Sequence, residues 1–245
     1  NALAGKLYYN AYTGGQRNLT GTVQIAEGLT ATSAALKTGE ITYKDKNGQG
    51  RYEAPAEPED LPITTSETFE KDRVVNSTGE TMMSVGHGTE SPMVVNMNGH
   101  SLTMNFKTDE RWGGKDGIKT ERGQKIQVVN PDHKDITISM ENTGGMANGI
   151  RAFGGEIEIQ GPVNIEKVAS KGLYGNGVLT FTEGAKITID GPLKVHNVTG
   201  NKGEYTALKN VYDMNLTGIA ANGPRSEVIV KGPVDIANID GYALQ

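Results

Sequence analysis

Four histidines, His87, His100, His133 and His196, are the side chains best suited to proton transfer or metal ligation near neutral pH. They show no metal-ligand spacing. Cysteine is absent, so there is no thiol nucleophile and no thiolate metal site. Neither a metal nor another cofactor is expected. Asp190 and Asp235 could offer oxygens to calcium, but each stands beside a corner in a different frame of the repeat described below. Calcium needs about six or more converging oxygens, so solvated turn carboxylates are expected instead. Arg151, in Gly149-Ile150-Arg151-Ala152, takes an outward strand position by alternation and reads as a surface residue. The glycine doublets at 14–15, 113–114, 144–145 and 154–155 precede no Gly-Lys-Ser/Thr, so they form no phosphate loop. No residue is assigned a catalytic role. The residues chosen as candidate ligand-binding positions are Arg111, Trp112, Lys115, Tyr205 and Tyr212. They stand on segments that interrupt the repeat, and aromatic and Arg side chains dominate interface energies.

The triplet Gly86-His87-Gly88 resembles a motif of polygalacturonases, which are right-handed β-helices. That family also carries an Asn-Thr-Asp motif, an Asp-Asp pair and an Arg-Ile-Lys motif, none of which occurs here. Glycoside hydrolysis requires a pair of carboxylates, so the resemblance stops short of the chemistry. His87 reads as part of a turn between coils, partly exposed.

The elements that position these residues follow from a repeat. Glu156-Ile157-Glu158-Ile159-Gln160-Gly161-Pro162-Val163-Asn164-Ile165 is one copy. Lys186-Ile187-Thr188-Ile189-Asp190-Gly191-Pro192-Leu193-Lys194-Val195 is a second, and Glu227-Val228-Ile229-Val230-Lys231-Gly232-Pro233-Val234-Asp235-Ile236 a third. The apolar positions keep their offsets, including a later one at Val168, Val198 and Ile239. Period-two alternation puts these side chains on one face of short strands. Pro cannot donate to a ladder and belongs at a corner. Gly117-Ile118, Gly149-Ile150, Gly177-Val178 and Gly218-Ile219 each precede a strand pair. Upstream, Val94 to Met97 turns through Asn98-Gly99-His100 into Leu102-Thr103-Met104, and Val74-Val75 and Val23-Gln24-Ile25 also read as strands.

One coil cannot bury its own apolar face, but stacked coils share a continuous core. The connections are too short for helices, so strands stack in parallel, and the crossover rule favours right-handed winding. The chain is therefore read as all-β, a right-handed parallel β-helix (a β-solenoid) spanning 1–245 as a single domain. About eight coils are expected, roughly 40 Å in all. The composition agrees. Only 36% of residues are hydrophobic and 33 are glycine, which suits a thin core with many turns. Three projecting loops break the register: 44–62, acidic and Pro-rich; 106–117, with Trp112; and 199–217, with Tyr205 and Tyr212. Glycosylation triplets at Asn18, Asn76, Asn197 and Asn215 are common by chance in an Asn- and Thr-rich chain.

Met97-Asn98-Gly99-His100-Ser101-Leu102-Thr103-Met104, with the recurring Gly-x-Ile/Val-x-Ile/Val stretches, resembles bacterial autotransporter passenger domains. The likeness covers most of the chain from about residue 74. It implies a secreted, pectin-lyase-like right-handed β-helix, exported across the outer membrane through a C-terminal β-barrel not contained in this sequence. It also gives the missing cysteine a reason, because a disulfide-closed loop would obstruct export. On this reading the chain is a fragment of a longer passenger, since its last residues begin a new coil without a polar cap.

The resemblance implies a cell-surface adhesin, extracellular, whose partner is a protein or glycan on a host or bacterial surface, with self-association as a further possibility. A formal net charge of −5 without a basic stripe argues against nucleic acid. No segment of about 20 apolar residues occurs, so membrane attachment is expected only through the barrel. Two alternatives share the scaffold. One is a polysaccharide-acting enzyme such as a lyase, hydrolase or tailspike, and the other a passive stalk.

Overall fold

Alternating apolar residues, interrupted every few positions by Gly, Pro or Asn, yield short strands that bury one side. The computed structural model describes residues 22–26, 29–32, 61–107, 114–143, 145–170, 172, 174–200 and 215–245. The chain divides into two compact units, Asn1–Pro58 and Glu59–Gln245. In the first, β1 (Thr22–Ala26) pairs antiparallel with β2 (Leu29–Thr32). Two residues separate these strands, and a parallel return needs about a dozen. The strand expected at Val23-Gln24-Ile25 is therefore present, but in an antiparallel pair rather than a stacked coil.

The second unit winds through three strands per coil. The first coil holds β3 (Glu67–Thr68), β4 (Arg73–Ser77) and β5 (Met83–Ser84). The second holds β6 (Met93–Asn96), β7 (Leu102–Lys107) and β8 (Gly114–Thr120). The third holds β9 (Lys125–Val129), β10 (Ile136–Thr143) and β11 (Met146–Phe153). The fourth holds β12 (Glu156–Gln160), β13 (Val163–Ser170) and β14 (Tyr174–Phe181). The fifth holds β15 (Lys186–Asp190), β16 (Leu193–Gly200) and β17 (Asn215–Asn222). The sixth holds β18 (Glu227–Val230), β19 (Val234–Ile239) and β20 (Tyr242–Leu244). Equivalent strands stack into three six-stranded sheets, the first, second and third faces of a parallel β-solenoid. No helix occurs among the described residues. Six coils at about 4.8 Å per step make a stack roughly 24 Å deep.

The repeat predicts the register. Ile157 lies beside Ile187 and Ile187 beside Val228 on the first face. On the second, Val163, Leu193 and Val234 align, as do Val168, Val198 and Ile239. The step from Ile165 to Val168 breaks strict alternation because a bulge inserts there. Opposite β10 the pairing jumps from Ile138–Ile165 to Ser139–Lys167, passing over Glu166. In the next two coils Asn197 and Asn238 take the left-handed conformation, both at φ 57°, which Asn tolerates better than most residues. Asn238 Nδ2 donates to Asn197 Oδ1 at 3.1 Å, and Asn197 Nδ2 to the Glu166 carbonyl at 2.9 Å, so the bulges stack.

At the Gly-Pro corners, the proline carbonyl of one coil accepts the N–H that follows the corner in the coil before it. Val163 N donates to Pro192 O and Leu193 N to Pro233 O, both at 2.9 Å. Proline's missing donor costs nothing there, while its acceptor joins neighbouring coils. On the third face a glycine column faces the core. A Cβ on Gly149 would stand 2.7 Å from the Gly177 carbonyl oxygen and 3.0 Å from Ile165 Cδ1. The second-face aliphatics fill that space instead. The core also changes along the stack: Met82, Met83, Met93, Met97 and Met104 fill the first two coils, whereas Ile and Val fill the later ones. Unbranched Met adapts to irregular gaps, and β5 and β3 are only two residues long.

Candidate binding surface

The strands that flank the aromatic candidates, β7 and β8, and β16 and β17, are joined across the same corner, between the second and third faces. The chain leaves β7 at Lys107 and re-enters β8 at Gly114; it leaves β16 at Gly200 and re-enters β17 at Asn215. In the two coils between, the same corner is short, from Thr143 to Met146 and from Ser170 to Tyr174. Arg111, Trp112, Tyr205, Tyr212 and the 44–60 part of the expected first loop lie outside the described residues. The loop expected over 106–117 is narrower than the sequence indicates. Phe106 continues the Leu102, Met104 alternation into the core, and strand pairing resumes at Gly114. Lys115 therefore stands on β8, half-buried, and its Nζ donates to the Gly79 carbonyl oxygen in the coil before. Tyr174, at the start of β14 on this corner, is 47% exposed.

Next to the corner runs a buried polar row. Asp116, Asn148, Asn176 and Thr217 are register partners on β8, β11, β14 and β17. Each immediately precedes a glycine of the core-facing column. Asn176 Nδ2 donates to Asn148 Oδ1 at 2.8 Å, and Asn148 Nδ2 to Asp116 Oδ1 at 2.7 Å. Arg151 closes the row, with one guanidinium nitrogen 2.7 Å from Asp116 Oδ2. Arg151 is thus not a free surface residue. It is only half-exposed because it neutralises a carboxylate that is itself buried. Its guanidinium also lies 5.9 Å from the Phe153 ring centre, and Phe153 stacks on Phe181 at 5.6 Å. Both rings are partly exposed, and stacking covers one face of each.

The outer side of the second face holds a shallow groove of about 720 Å³. Ser139 of β10, Glu166 and Lys167 of β13, and Lys194, His196, Asn197 and Thr199 of β16 line it. The bulge at Glu166 and Asn197 widens the strand locally and aims extra side chains into it. Lys167 Nζ is 3.0 Å from Glu141, and this bond holds the Glu141 carboxyl below its usual range. His196 Nε2 is 3.0 Å from Asp235 Oδ2. Both counter-carboxylates stand outside the lining, so among the described residues the lining holds three basic side chains and one acid, Glu166. Lys194 has no carboxylate within ion-pairing distance among the described residues. Size and polarity fit an elongated polar ligand.

The remaining candidates are scattered. His87 is exposed in a turn between β5 and β6, as its flanking glycines predict. His100 Nδ1 lies 3.7 Å from Asp72, and His133 Nδ1 lies 3.1 Å from the Gly161 carbonyl oxygen. Asp190 faces Lys231 at 3.4 Å, across the Gly-Pro corner from the Asp235–His196 pair, and the two pairs share no residue. Among the described residues, no three His, Asp or Glu side chains gather as a metal would require. No helix among them is long and apolar enough to cross a membrane. Sequence reasoning missed the groove and the buried row. The groove residues carry no periodic mark, but the row had one: Asp, Asn, Asn or Thr directly before each aligned glycine. Comparison with protein-family models, with curated proteins and with solved structures finds no match to this chain.

Proposed function

We propose that this chain is a segment of a bacterial cell-surface adhesin, an autotransporter-like passenger that attaches to a protein or glycan on another surface. The observation that carries the reading is the shared corner. The two stretches rich in aromatic and charged residues each connect a second-face strand to a third-face strand, three coils apart, roughly 14 Å along the axis. Between them the corner is short and presents Tyr174. A rigid stack that offers separate aromatic segments on one edge suits recognition of an extended partner. Among the described residues the groove lining contributes one carboxylate, Glu166, where glycoside hydrolysis uses two, which supports the binding reading. Secretion through a barrel and a surface location belong to the same proposal and rest on the resemblance of the Asn98 to Thr103 phrase.

The test is adhesion of cells displaying the chain. Replacing Arg111 and Trp112 together by Ala should lower adhesion on the order of tenfold and leave the melting temperature unchanged. Unchanged adhesion would remove this corner from the binding surface. Release of product from any neutral or uronate glycan by the purified chain would replace the adhesin reading by the enzymatic one.

A further inference from the structure

The groove on the second face defines a ligand more closely than the adhesin reading does, on which this inference rests. We infer that it binds an acidic oligosaccharide, rich in hydroxyls and carrying at most one carboxylate per sugar and no sulfates, with Lys194 as the anion contact and Glu166 as an acceptor for sugar hydroxyls.

The lining carries the argument. Lys194 offers donors only, and among the described residues no carboxylate lies within ion-pairing distance of it, its register partner Asp235 being bonded to His196. Any ligand satisfying it must bring an anion or a strong acceptor. A carboxylate at Glu166 accepts only, so the same ligand must also bring donors. Ser139 and Thr199 both donate and accept, which suits hydroxyls. A sugar acid combines all three requirements. A densely charged polymer does not, because Glu166 would repel it and the chain's net charge of −5 adds to that repulsion.

Geometry agrees. Lys194 and His196 are two apart on β16 and project from one side, about 7 Å from each other. Lys167 stands on the neighbouring strand, across the bulge. Lys167 and His196 are each tied to a carboxylate outside the groove, Glu141 and Asp235. Those bonds hold the two side chains at its margins and leave Lys194, among the described residues of the lining, as the cation without an ion pair. Among the described residues no aromatic ring lines the groove, so these side chains orient a ligand by hydrogen bonds and charge.

The test is calorimetric titration of the whole chain with four probes: a tetragalacturonate, the neutral tetrasaccharide of the same linkage, a densely sulfated heparin tetrasaccharide, and a single-stranded oligonucleotide. The tetragalacturonate should bind at least tenfold tighter than each of the others. Lys194→Glu should remove that preference, Lys194→Arg should retain it, and Lys231→Ala, outside the groove, should leave it intact. Lys194 is exposed, so the melting temperature should not move. Equal binding of acidic and neutral sugars would overturn the inference. So would tighter binding of heparin or the oligonucleotide, or an unaltered preference in Lys194→Glu. The titration needs no cells. Loss of adhesion with the titration intact would count against the adhesin reading alone, and adhesion that survives Lys194→Glu would leave that reading standing without the groove.

Discussion

Two rows of polar side chains run along the stack, one on the third face and one on the first. The third-face row is Asp116, Asn148 and Asn176, buried and linked end to end by amide hydrogen bonds. The first-face row alternates in sign: Lys125, Glu156, Lys186 and Glu227 are successive register partners. Its pairs are looser and wetter. Lys125 Nζ lies 3.5 Å from Glu156 and 2.8 Å from Glu158, and Lys186 Nζ lies 3.7 Å from Glu227. Both rows join each coil to the next, but their surroundings set their worth. An exposed pair contributes about 0.2–1 kcal/mol, while removing one partner from a buried pair costs about 3–5 kcal/mol. The buried row therefore makes each coil depend on its neighbour, and the exposed row mainly disfavours a slipped register.

The largest effect should come from Asp116→Ala. It strips the neutralising partner from Arg151, whose side chain is only 17% exposed, and the acceptor from Asn148 Nδ2. A loss of about 3–5 kcal/mol is expected, a fall in melting temperature on the order of 10 °C for a unit of this size. The double variant Asp116→Ala, Arg151→Ala should recover part of it, because the orphaned charge goes too. Thermal unfolding measures both. A fall no larger than that of Lys125→Ala would erase the distinction between the rows.

Gly149→Ala comes next. The added methyl meets the Gly177 carbonyl at 2.7 Å and Ile165 at 3.0 Å, so overpacking should cost about 1–3 kcal/mol. Gly145→Ala is the control, since a methyl there would find nothing within 4 Å. It should shift urea unfolding by no more than about 0.5 kcal/mol. Similar shifts for the two would show that the glycine column is not a packing requirement.

How far these rows could be read from sequence differs in the same way. The repeat exposes apolar alternation and corners, so Ile157, Ile187 and Val228 could be aligned before any coordinates. The glycine column was legible too, at 117, 149, 177 and 218. The residue before each glycine was the overlooked part, because Asp-Gly and Asn-Gly ordinarily signal turns. Here stacking turns those same dipeptides into a buried row. The bulge at Glu166, Asn197 and Asn238 was half legible: the match of Val168, Val198 and Ile239 at an odd spacing required one. The groove was not legible. Lys167, Lys194 and His196 occupy outward positions where many residue types serve, and only three-dimensional stacking brings them together. Nor could the antiparallel pairing of Val23 with Ala31 be read from a pattern that predicts parallel coils.

The smallest effect belongs to the exposed row, and pH and salt isolate it. The Lys125 ammonium, then the Gln127 amide at 2.7 Å, hold the Glu158 carboxyl below its ordinary value of 4.5. Its folded value is thus lower than its unfolded one. The stability it contributes is fully present above pH 4.5 and is lost as pH falls through the lowered folded value. Lys125 has the opposite sign: its pKa is raised above 10.5, chiefly by the bond to Glu158. Its share is present below that pH and is lost as pH rises through the raised value. Because Glu158 is more than a third exposed, solvent screening keeps the whole effect under about 1 kcal/mol. The difference in urea midpoint between the unaltered chain and Glu158→Gln should be measurable at pH 7 and vanish at the acid end. At pH 7, about 1 M salt, with a screening length near 3 Å, should remove that difference as well. The same salt should leave the deficit of Asp116→Ala largely intact, because solvent ions do not enter the space between Asp116 and Arg151. If salt reduced both deficits alike, burial would not be what separates the two rows.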